Sequence, residues 1–167
     1  MLLEGKNAVI YGGGGAIGGA VAGAFAREGA RVFLAGRTRA SLEKVAADIR
    51  GAGGTAETAE VDATDERAVD VHADAVASQA GGIDICMNVS SHGDVQGTPL
   101  VEMALEDYLR PVDTAVRTTF LTSRAAGRHM VRQGSGVILT PTAVGPCRLA
   151  MVVAATRPLT LASSSTS

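Results

Sequence analysis

The sequence predicts an α/β fold in which helices cover both faces of a doubly wound parallel sheet of about five strands. Short apolar runs alternate five times with longer segments whose apolar residues recur at helical spacing. The runs are apolar throughout, which is typical of strands buried on both faces of a parallel sheet. With 167 residues, 46% of them hydrophobic, the chain is long enough to bury one core. We therefore expect ligands at the carboxyl ends of the strands.

Three strand–helix units make up the first half of the chain. Gly29 ends the first helix as a C-terminal glycine does, and Asp65 and Glu66 suit the positively polarised first turn of the third helix. The predicted strands are residues 8–11, 31–35 and 56–61, and the predicted helices are residues 16–28, 41–49 and 65–79. The apolar residues at helical spacing in the first helix are Ile17, Val21, Ala24 and Phe25.

The second half begins with a predicted strand at residues 83–89 and a polar loop at residues 90–99. Residues 102–132 then form one long helix or two shorter ones, because Pro111 kinks or interrupts a helix. A fifth strand is predicted at residues 136–140. The apolar positions of the long helical segment are Leu105, Leu109, Val116, Phe120, Leu121 and Met130.

Residues 1–146 are expected to form the domain, and residues 147–167 an irregular or disordered tail. Beyond Pro146 the strand–helix pattern stops, although residues 147–155 fit one more apolar segment. From Arg157 onward the chain is rich in serine and threonine and has neither a helical period nor strand alternation. That composition is typical of disorder.

Composition and charge limit the expected partners. The net charge of −2 argues against nucleic acid held by bulk electrostatics. No apolar run approaches the ~20 residues of a membrane span, and the N-terminus is too short and too charged for a signal peptide. Cys86 and Cys147 stand far apart, so neither a disulfide framework nor a metal site is predicted, and a cytoplasmic location is the simplest expectation.

A glycine stretch after the first strand carries the strongest functional signal. Residues 8–11 form the strand, four consecutive glycines follow at 12–15, and a helix begins directly after them. Glycines let the backbone approach a pyrophosphate closely, and the helix N-terminus directs N–H groups and a positive dipole at it. The stretch therefore predicts dinucleotide binding; the alternative is a glycine-rich turn without a ligand.

These motifs resemble those of the short-chain dehydrogenase/reductase family in its classical form. The family's TGxxxGxG motif falls on residues 11–18, with Tyr11 in place of threonine and Ala16 in place of the middle glycine. The aspartate that contacts adenine in the family falls on Asp62, and the NNAG motif on residues 88–91, where only Asn88 is retained.

The likeness runs from about Leu3 to about Gly145 and covers roughly the first half of a family member, which implies a Rossmann-like sheet that is incomplete relative to the family. It also implies a bound nicotinamide dinucleotide. The residues that it assigns to that cofactor are Gly12, Gly14, Gly15, Ala16, Ile17, Gly18, Asp62, Ala63, Asn88, Val89 and Ser90.

The end of the second strand predicts the choice of cofactor. NAD-binding sites place a carboxylate there on the ribose 2′-hydroxyl, whereas this chain has Gly36 followed by Arg37. Arg37 can form a bidentate, charge-assisted pair with a 2′-phosphate, so NADP(H) is predicted over NAD(H). The alternative is that Arg37 and Arg39 form a solvated turn, although basic residues at a helix start oppose the dipole and favour an anionic ligand.

The catalytic residues of the family do not follow in this sequence. The family reduces a carbonyl with a tyrosine as proton donor, a lysine four residues later, a serine and an asparagine. The only tyrosines here are Tyr11 and Tyr108 and the only lysines Lys6 and Lys44, so no YxxxK occurs after residue 108. The tyrosine and lysine places fall near Thr156 and Thr160, the asparagine place on Ala115 and the serine place on Ala143.

Weaker candidates remain beside these positions. Thr142 either donates a hydrogen bond to a substrate or is an ordinary strand-end threonine. His92 is either a general acid near the nicotinamide or a loop histidine. Cys86 is expected in the core, and Cys147 has no nearby base to make it a nucleophile.

Three interpretations follow. The first is an NADP(H)-dependent oxidoreductase that acts on a small carbonyl or alcohol. The second is a non-catalytic NADP(H)-binding protein, and the third is a truncated or frameshifted product. Strands missing beyond the fifth would expose a sheet edge and apolar helix faces, so we expect a homo-oligomer burying residues 102–132, or aggregation.

Overall fold

One sheet and four α-helices organise the residues that the structure, a computed structural model, describes: 1–91, 93, 97–143 and 149–155. A short 3-10 helix spans Leu100–Glu102. The strands are β1 (Asn7–Tyr11), β2 (Arg31–Gly36), β3 (Thr55–Glu60), β4 (Ile85–Asn88), β5 (Val137–Ala143) and β6 (Leu149–Ala155). The helices are α1 (Ala16–Arg27), α2 (Arg39–Gly51), α3 (Glu66–Ala80) and α4 (Leu105–Gln133).

The sheet has the order β3-β2-β1-β4-β5-β6. The first five strands are parallel to one another, which confirms the predicted parallel sheet, and β6 is antiparallel to β5. Since the chain leaves β1 towards β2 and later returns to its other side with β4, the strand order reverses at β1. A crevice opens at the carboxyl ends of the strands where such a reversal occurs.

Two hydrophobic clusters occupy the two faces of the sheet. Ile10 and Leu34 pack with the apolar sides of α1 and α2 on one face. Val9 and Phe33 pack with α3 and α4 on the other. Neighbouring positions in β1 and β2 thus point to opposite cores, which is why these strands are apolar without interruption.

The long helical segment is a single helix, and its exposed side differs from the expected core. Pro111 lies inside α4 without ending it; its missing N–H leaves the carbonyl of Asp107 without the usual helical partner. Leu121 and Met130 are buried, but Val116 is 66% exposed. The other predicted apolar positions of α4 that are exposed are Leu105, Leu109 and Phe120.

The strand β6 lies in the segment for which we expect an irregular tail. It pairs with β5 from Val137↔Ala155 to Ala143↔Leu149, so the expectation that β5 forms an open edge is wrong. The apolar run at residues 147–155 accounts for this strand. The domain boundary at residue 146 stays a prediction, and residues 156–167 lie outside the described residues.

None of the helices among the described residues is both long and apolar enough to span a membrane.

A buried polar contact joins β1 to α3. The hydroxyl of Tyr11 lies 3.1 Å from Nδ1 of His72, and the two rings meet edge to face with centroids 5.5 Å apart. Burial lowers the pKa of His72 to about 4, so the imidazole is neutral in the folded chain at neutral pH. Burial raises the pKa of Tyr11 most, and the neighbouring Cys86 and Asp70 raise it further.

The His72 contact predicts a loss of stability in acid. An unfolded histidine titrates near pH 6.5, so between about pH 6.5 and pH 4 the unfolded chain binds a proton that the folded chain does not. The free energy of unfolding therefore falls as the pH falls, by about 2 kcal/mol from this group between about pH 7.5 and pH 5. Urea unfolding at both values measures it. His72→Asn keeps an amide near Nδ1 and should remove this part of the loss; equal losses in both proteins would contradict the assignment.

Candidate nucleotide-binding site

A cavity of about 1130 Å³ lies at the carboxyl ends of β1, β2 and β4. The glycine turn forms its centre, the residues after β2 and β3 form one end, and β4 with α4 forms the other. All the cofactor residues that the sequence predicts line this cavity: Gly12, Gly14, Gly15, Ala16, Ile17, Gly18, Arg37, Asp62, Ala63, Asn88, Val89 and Ser90. Their role in binding stays a prediction.

Close backbone contacts require glycine at two positions, one in the turn and one in the first turn of α1. Gly12 has φ +82°, and a Cβ there would lie 2.5 Å from the carbonyl oxygen of Val89. A Cβ on Gly18 would lie 2.3 Å from the carbonyl oxygen of Gly12. The N–H groups of Gly12 and Gly13 both donate to the carbonyl of Ala35. The turn is therefore held against the ends of β2 and β4, and α1 begins directly over it.

The N-terminus of α1 is arranged for an anion. Its N-cap is Gly15, which supplies no side-chain acceptor, and its first turn holds no acidic residue. By contrast, Asp65 caps α3 by accepting from the N–H of Ala68 at 3.0 Å. Ile17, one of the predicted apolar positions of α1, is 53% exposed and lines the cavity, while Gly18 and Ala22 are buried. The first-turn N–H groups of α1 are therefore open to a ligand.

A second helix N-terminus opens at the β2 end of the cavity. Thr38 is the N-cap of α2 without a side-chain cap hydrogen bond, and the first turn of α2 holds no acidic residue. Arg37 precedes it, is exposed and lines the cavity. Within the part of the chain that the structure describes, Arg37 forms no ion pair. The β2 end therefore offers a guanidinium and open helix N–H groups to a ligand.

Asp62 is ionised beside this positive end. Its Oδ1 accepts from the backbone N–H of Thr64 at 2.9 Å and from the Thr64 hydroxyl at 2.8 Å. These two hydrogen bonds, and next the charge of Arg37, lower the pKa of Asp62. The cavity thus presents a carboxylate and a guanidinium close together at one end, which suits a ligand that carries both an amino group and phosphates.

Asn88 positions the other end of the cavity. Its buried amide donates to the hydroxyl of Thr118 at 3.0 Å, and its Oδ1 accepts from the N–H of Ser90 at 3.2 Å. This contact fixes α4 against β4 and shapes the chain at Val89 and Ser90. Thr118 was not among the predicted site residues. Its signal is weak, because a buried threonine on an apolar helix face is indistinguishable in sequence from an exposed one.

The catalytic positions named by resemblance are only partly described. Ala115 lines the cavity, while Thr142 and Ala143 lie in β5 and only their backbone is described. His92, Cys147, Thr156 and Thr160 lie outside the described residues. Cys86 is buried as predicted, and burial raises the pKa of its thiol to about 12, so this group stays neutral. Tyr11 is likewise buried, against His72.

This chain is similar in sequence to proteins of one known family. Residues 6–146 match a family model described as short chain dehydrogenase. The chain is 34% identical to a D-threitol dehydrogenase of Mycolicibacterium smegmatis over 137 residues, which are 82% of this chain and 52% of that protein. The chain therefore spans about half the length of the curated relatives it matches.

Solved structures share the fold. A short-chain type dehydrogenase/reductase from Mycobacterium marinum matches with a TM-score of 0.77 and 35% identity, over 89% of this chain and 62% of the other. A metagenomic short-chain oxidoreductase in complex with NADP matches with a TM-score of 0.75 and 29% identity, over 84% of this chain and 63% of the other.

The close contact at Gly18 predicts that replacing glycine by alanine has opposite effects at two positions of α1. Gly18→Ala forces the turn apart and should cost about 1–3 kcal/mol of the free energy of unfolding. Gly23→Ala is the matched control, because its Cβ would meet only the end of the Arg27 side chain at 3.4 Å. It should stabilise the chain by about 0.5–1 kcal/mol through helix propensity. Urea unfolding of both variants measures the difference, and equal effects would contradict the contact at Gly18.

Proposed function

Because this chain belongs to the short-chain dehydrogenase family, we propose that it binds NADP(H) and transfers a hydride between that cofactor and a small carbonyl or alcohol. The observation that carries the proposal is the open N-terminus of α1 above the glycine turn, at the reversal of strand order. Dinucleotides bind at such a place in doubly wound sheets. The cytoplasmic location expected from the cysteine content belongs to the same proposal.

The preference for NADP(H) over NAD(H) rests on this chain's own residues. Gly36 stands where a carboxylate would contact a ribose 2′-hydroxyl, and the cationic Arg37 follows it into the cavity. The uncapped first turn of α2 adds N–H donors to the same point. A 2′-phosphate would meet a guanidinium and a helix N-terminus there, whereas a bare hydroxyl would leave both without an anion.

Different residues of the site bind different parts of the cofactor. Backbone N–H groups at the start of α1 hold the pyrophosphate, Asp62 accepts from the adenine amino group, and Asn88 keeps β4 and α4 in place around the far end. NADP(H) supplies or accepts the hydride when it is bound. Thr142, at the end of β5, is the proposed donor of a hydrogen bond to the substrate oxygen.

A non-catalytic NADP(H)-binding protein is the second candidate, and one feature of the sequence favours it. Carbonyl reduction needs a proton donor, yet the sequence holds no YxxxK after residue 108. A truncated or frameshifted product would share this property. NADPH oxidation with a panel of carbonyl compounds separates the oxidoreductase from the non-catalytic protein: turnover supports the first, and tight binding without turnover supports the second.

Self-association along α4 is part of the proposal. An exposed apolar stripe runs along its first half, at the spacing of one helix face. The stripe consists of Leu105, Tyr108, Leu109, Val112, Val116 and Phe120, each at least 48% exposed. Such a stripe on the surface of a small domain is typical of an interface, and a second copy of the chain is the proposed partner.

Arg37→Gln should weaken NADP⁺ binding without changing NAD⁺ binding. Loss of a charge-assisted contact to phosphate is worth about 1.5–3 kcal/mol, so the Kd for NADP⁺ should rise by about tenfold or more. Arg39→Gln is the matched control, because Arg39 does not line the cavity. Calorimetric titration of the three proteins measures this. Tighter binding of NAD⁺ than NADP⁺ by the unaltered chain would contradict the preference.

Charges placed in the stripe should break the oligomer. The double variant Leu109→Lys/Val112→Lys puts two ammonium groups into the interface without touching the cavity lining, and is expected to lower the mass measured by light scattering during size-exclusion chromatography. Val71→Lys is the control, because Val71 is 60% exposed but lies on α3, outside residues 102–132. A monomeric unaltered chain would refute the interface.

A further inference from the structure

A buried tyrosine lies directly beneath the glycine turn. Tyr11 is the last residue of β1, precedes Gly12 and is among the residues that line the cavity. Its side chain is nevertheless only 1% exposed, because the ring packs into the core on the α3 and α4 face of the sheet. Tyr11 also departs from the family's motif, which has threonine at this position. The wall of the cavity therefore contains a large side chain that points away from a ligand.

One contact holds the polar end of this side chain in the core. The hydroxyl of Tyr11 and Nδ1 of His72 form a hydrogen bond of 3.1 Å, and the two rings meet at 79°. Within the part of the chain that the structure describes, the hydroxyl has no other hydrogen-bond partner. A buried hydroxyl that loses its only partner is unfavourable, because it has also lost its contact with water.

The neighbouring polar groups are bound elsewhere. The thiol of Cys86, which lies near the tyrosine, donates to a backbone carbonyl of α4 at 3.7 Å. Oδ2 of Asp70 is bound by Arg124 and Arg128 of α4, and neither oxygen of this carboxylate bonds to the tyrosine hydroxyl. The inward orientation of the tyrosine therefore depends on the histidine.

The cavity is the other place where the hydroxyl can meet water. Side chains move between staggered rotamers, and Tyr11 ends its strand, so a rotation about its Cα–Cβ bond would carry the ring from the core towards the cavity. Asn88, its partner across the sheet, and Gly12, the next residue, both line that cavity. A ring in this position would occupy space that a nucleotide needs.

We propose that His72 is a positioning residue for nucleotide binding: by holding the hydroxyl of Tyr11 in the core, it keeps the ring of Tyr11 out of the cavity. His72 does not line the cavity itself, so it acts through Tyr11. This inference rests on the proposed function, because it concerns the same cavity. The two partners of the hydrogen bond should affect binding unequally. Removal of the histidine frees the ring, whereas removal of the hydroxyl leaves no polar group that favours the outward position.

Calorimetric titration with NADP⁺ at neutral pH tests this inequality. His72→Phe keeps an aromatic ring in the core but removes the partner of the hydroxyl. It should raise the Kd at least about tenfold, because only chains with the tyrosine inward bind. Tyr11→Phe and the double variant Tyr11→Phe/His72→Phe should bind within about threefold of the unaltered chain. His72→Asn should do the same, because its amide takes the place of Nδ1.

Val76→Ala is the control for a general loss of stability. Val76 is 3% exposed in the same core, lies one helical turn from His72 and does not line the cavity. The variant should lower the free energy of unfolding and leave the Kd for NADP⁺ unchanged. An equal rise in Kd for Val76→Ala and His72→Phe would overturn the positioning role.

Tyrosine fluorescence reports the orientation of Tyr11 directly, because the chain has two tyrosines and no tryptophan. In a Tyr108→Phe background, acrylamide should quench Tyr11 weakly. Addition of His72→Phe should bring the quenching close to that of Tyr108 in the Tyr11→Phe variant, since Tyr108 is 56% exposed. Circular dichroism checks that each variant is folded. Weak quenching in a folded His72→Phe variant would overturn the inference.

The unaltered chain and Tyr11→Phe keep the inference testable if His72→Phe does not fold. Strong quenching of Tyr11 in the Tyr108→Phe chain, or a rise of about tenfold in the Kd of Tyr11→Phe, overturns it. If the unaltered chain and a folded His72→Phe variant bind NADP⁺ equally, the inference is overturned and the proposed function stands. If the unaltered chain does not bind NADP⁺, the proposed function fails together with the inference.

Discussion

The contact between three backbone segments at Gly12 and Gly18 is the constraint on which the rest of the structure depends. The carbonyl oxygen of Val89 and the start of α1 both approach the turn more closely than a Cβ allows. This approach places the N-terminus of α1 at the end of β1 and brings β4 beside it. The open N-terminus of α1, the β4 end and the cavity between them all follow from that one arrangement.

The charged groups around the cavity limit the kind of ligand that fits it. Two helix N-termini and Arg37 face one end of it, and Asp62 stands beside them with its pKa lowered first by Thr64. These features suit the phosphorylated dinucleotide that we propose as the ligand. They do not determine hydride transfer, because that reaction needs a proton donor at the opposite end of the cavity. Nucleotide binding and hydride transfer therefore depend on different ends of the cavity.

The fold could be predicted from the sequence wherever a local sequence pattern determines the structure. Apolar runs identified β1, β2, β4 and β5, whereas β3 mixes alanine with threonine and glutamate. The glycine motif located the turn because few other sequences permit such contacts. Side-chain environment was less accessible. Periodicity placed Ile17 with the apolar residues of α1, whereas the approach of Gly18 to Gly12 turns that face inward and leaves Ile17 at the cavity. The contact between Tyr11 and His72 could not be predicted from the sequence, because the two residues are 61 positions apart and only the tertiary packing of α3 brings them together.

Amide hydrogen exchange, measured with and without saturating NADP⁺, tests most directly whether a nucleotide occupies the cavity at the glycine turn. We expect slower exchange at residues 15–18 and 37–41 on addition of the nucleotide, with the remote C-terminal half of α3 unchanged. Unchanged exchange at both segments, or protection confined to other elements, would contradict it.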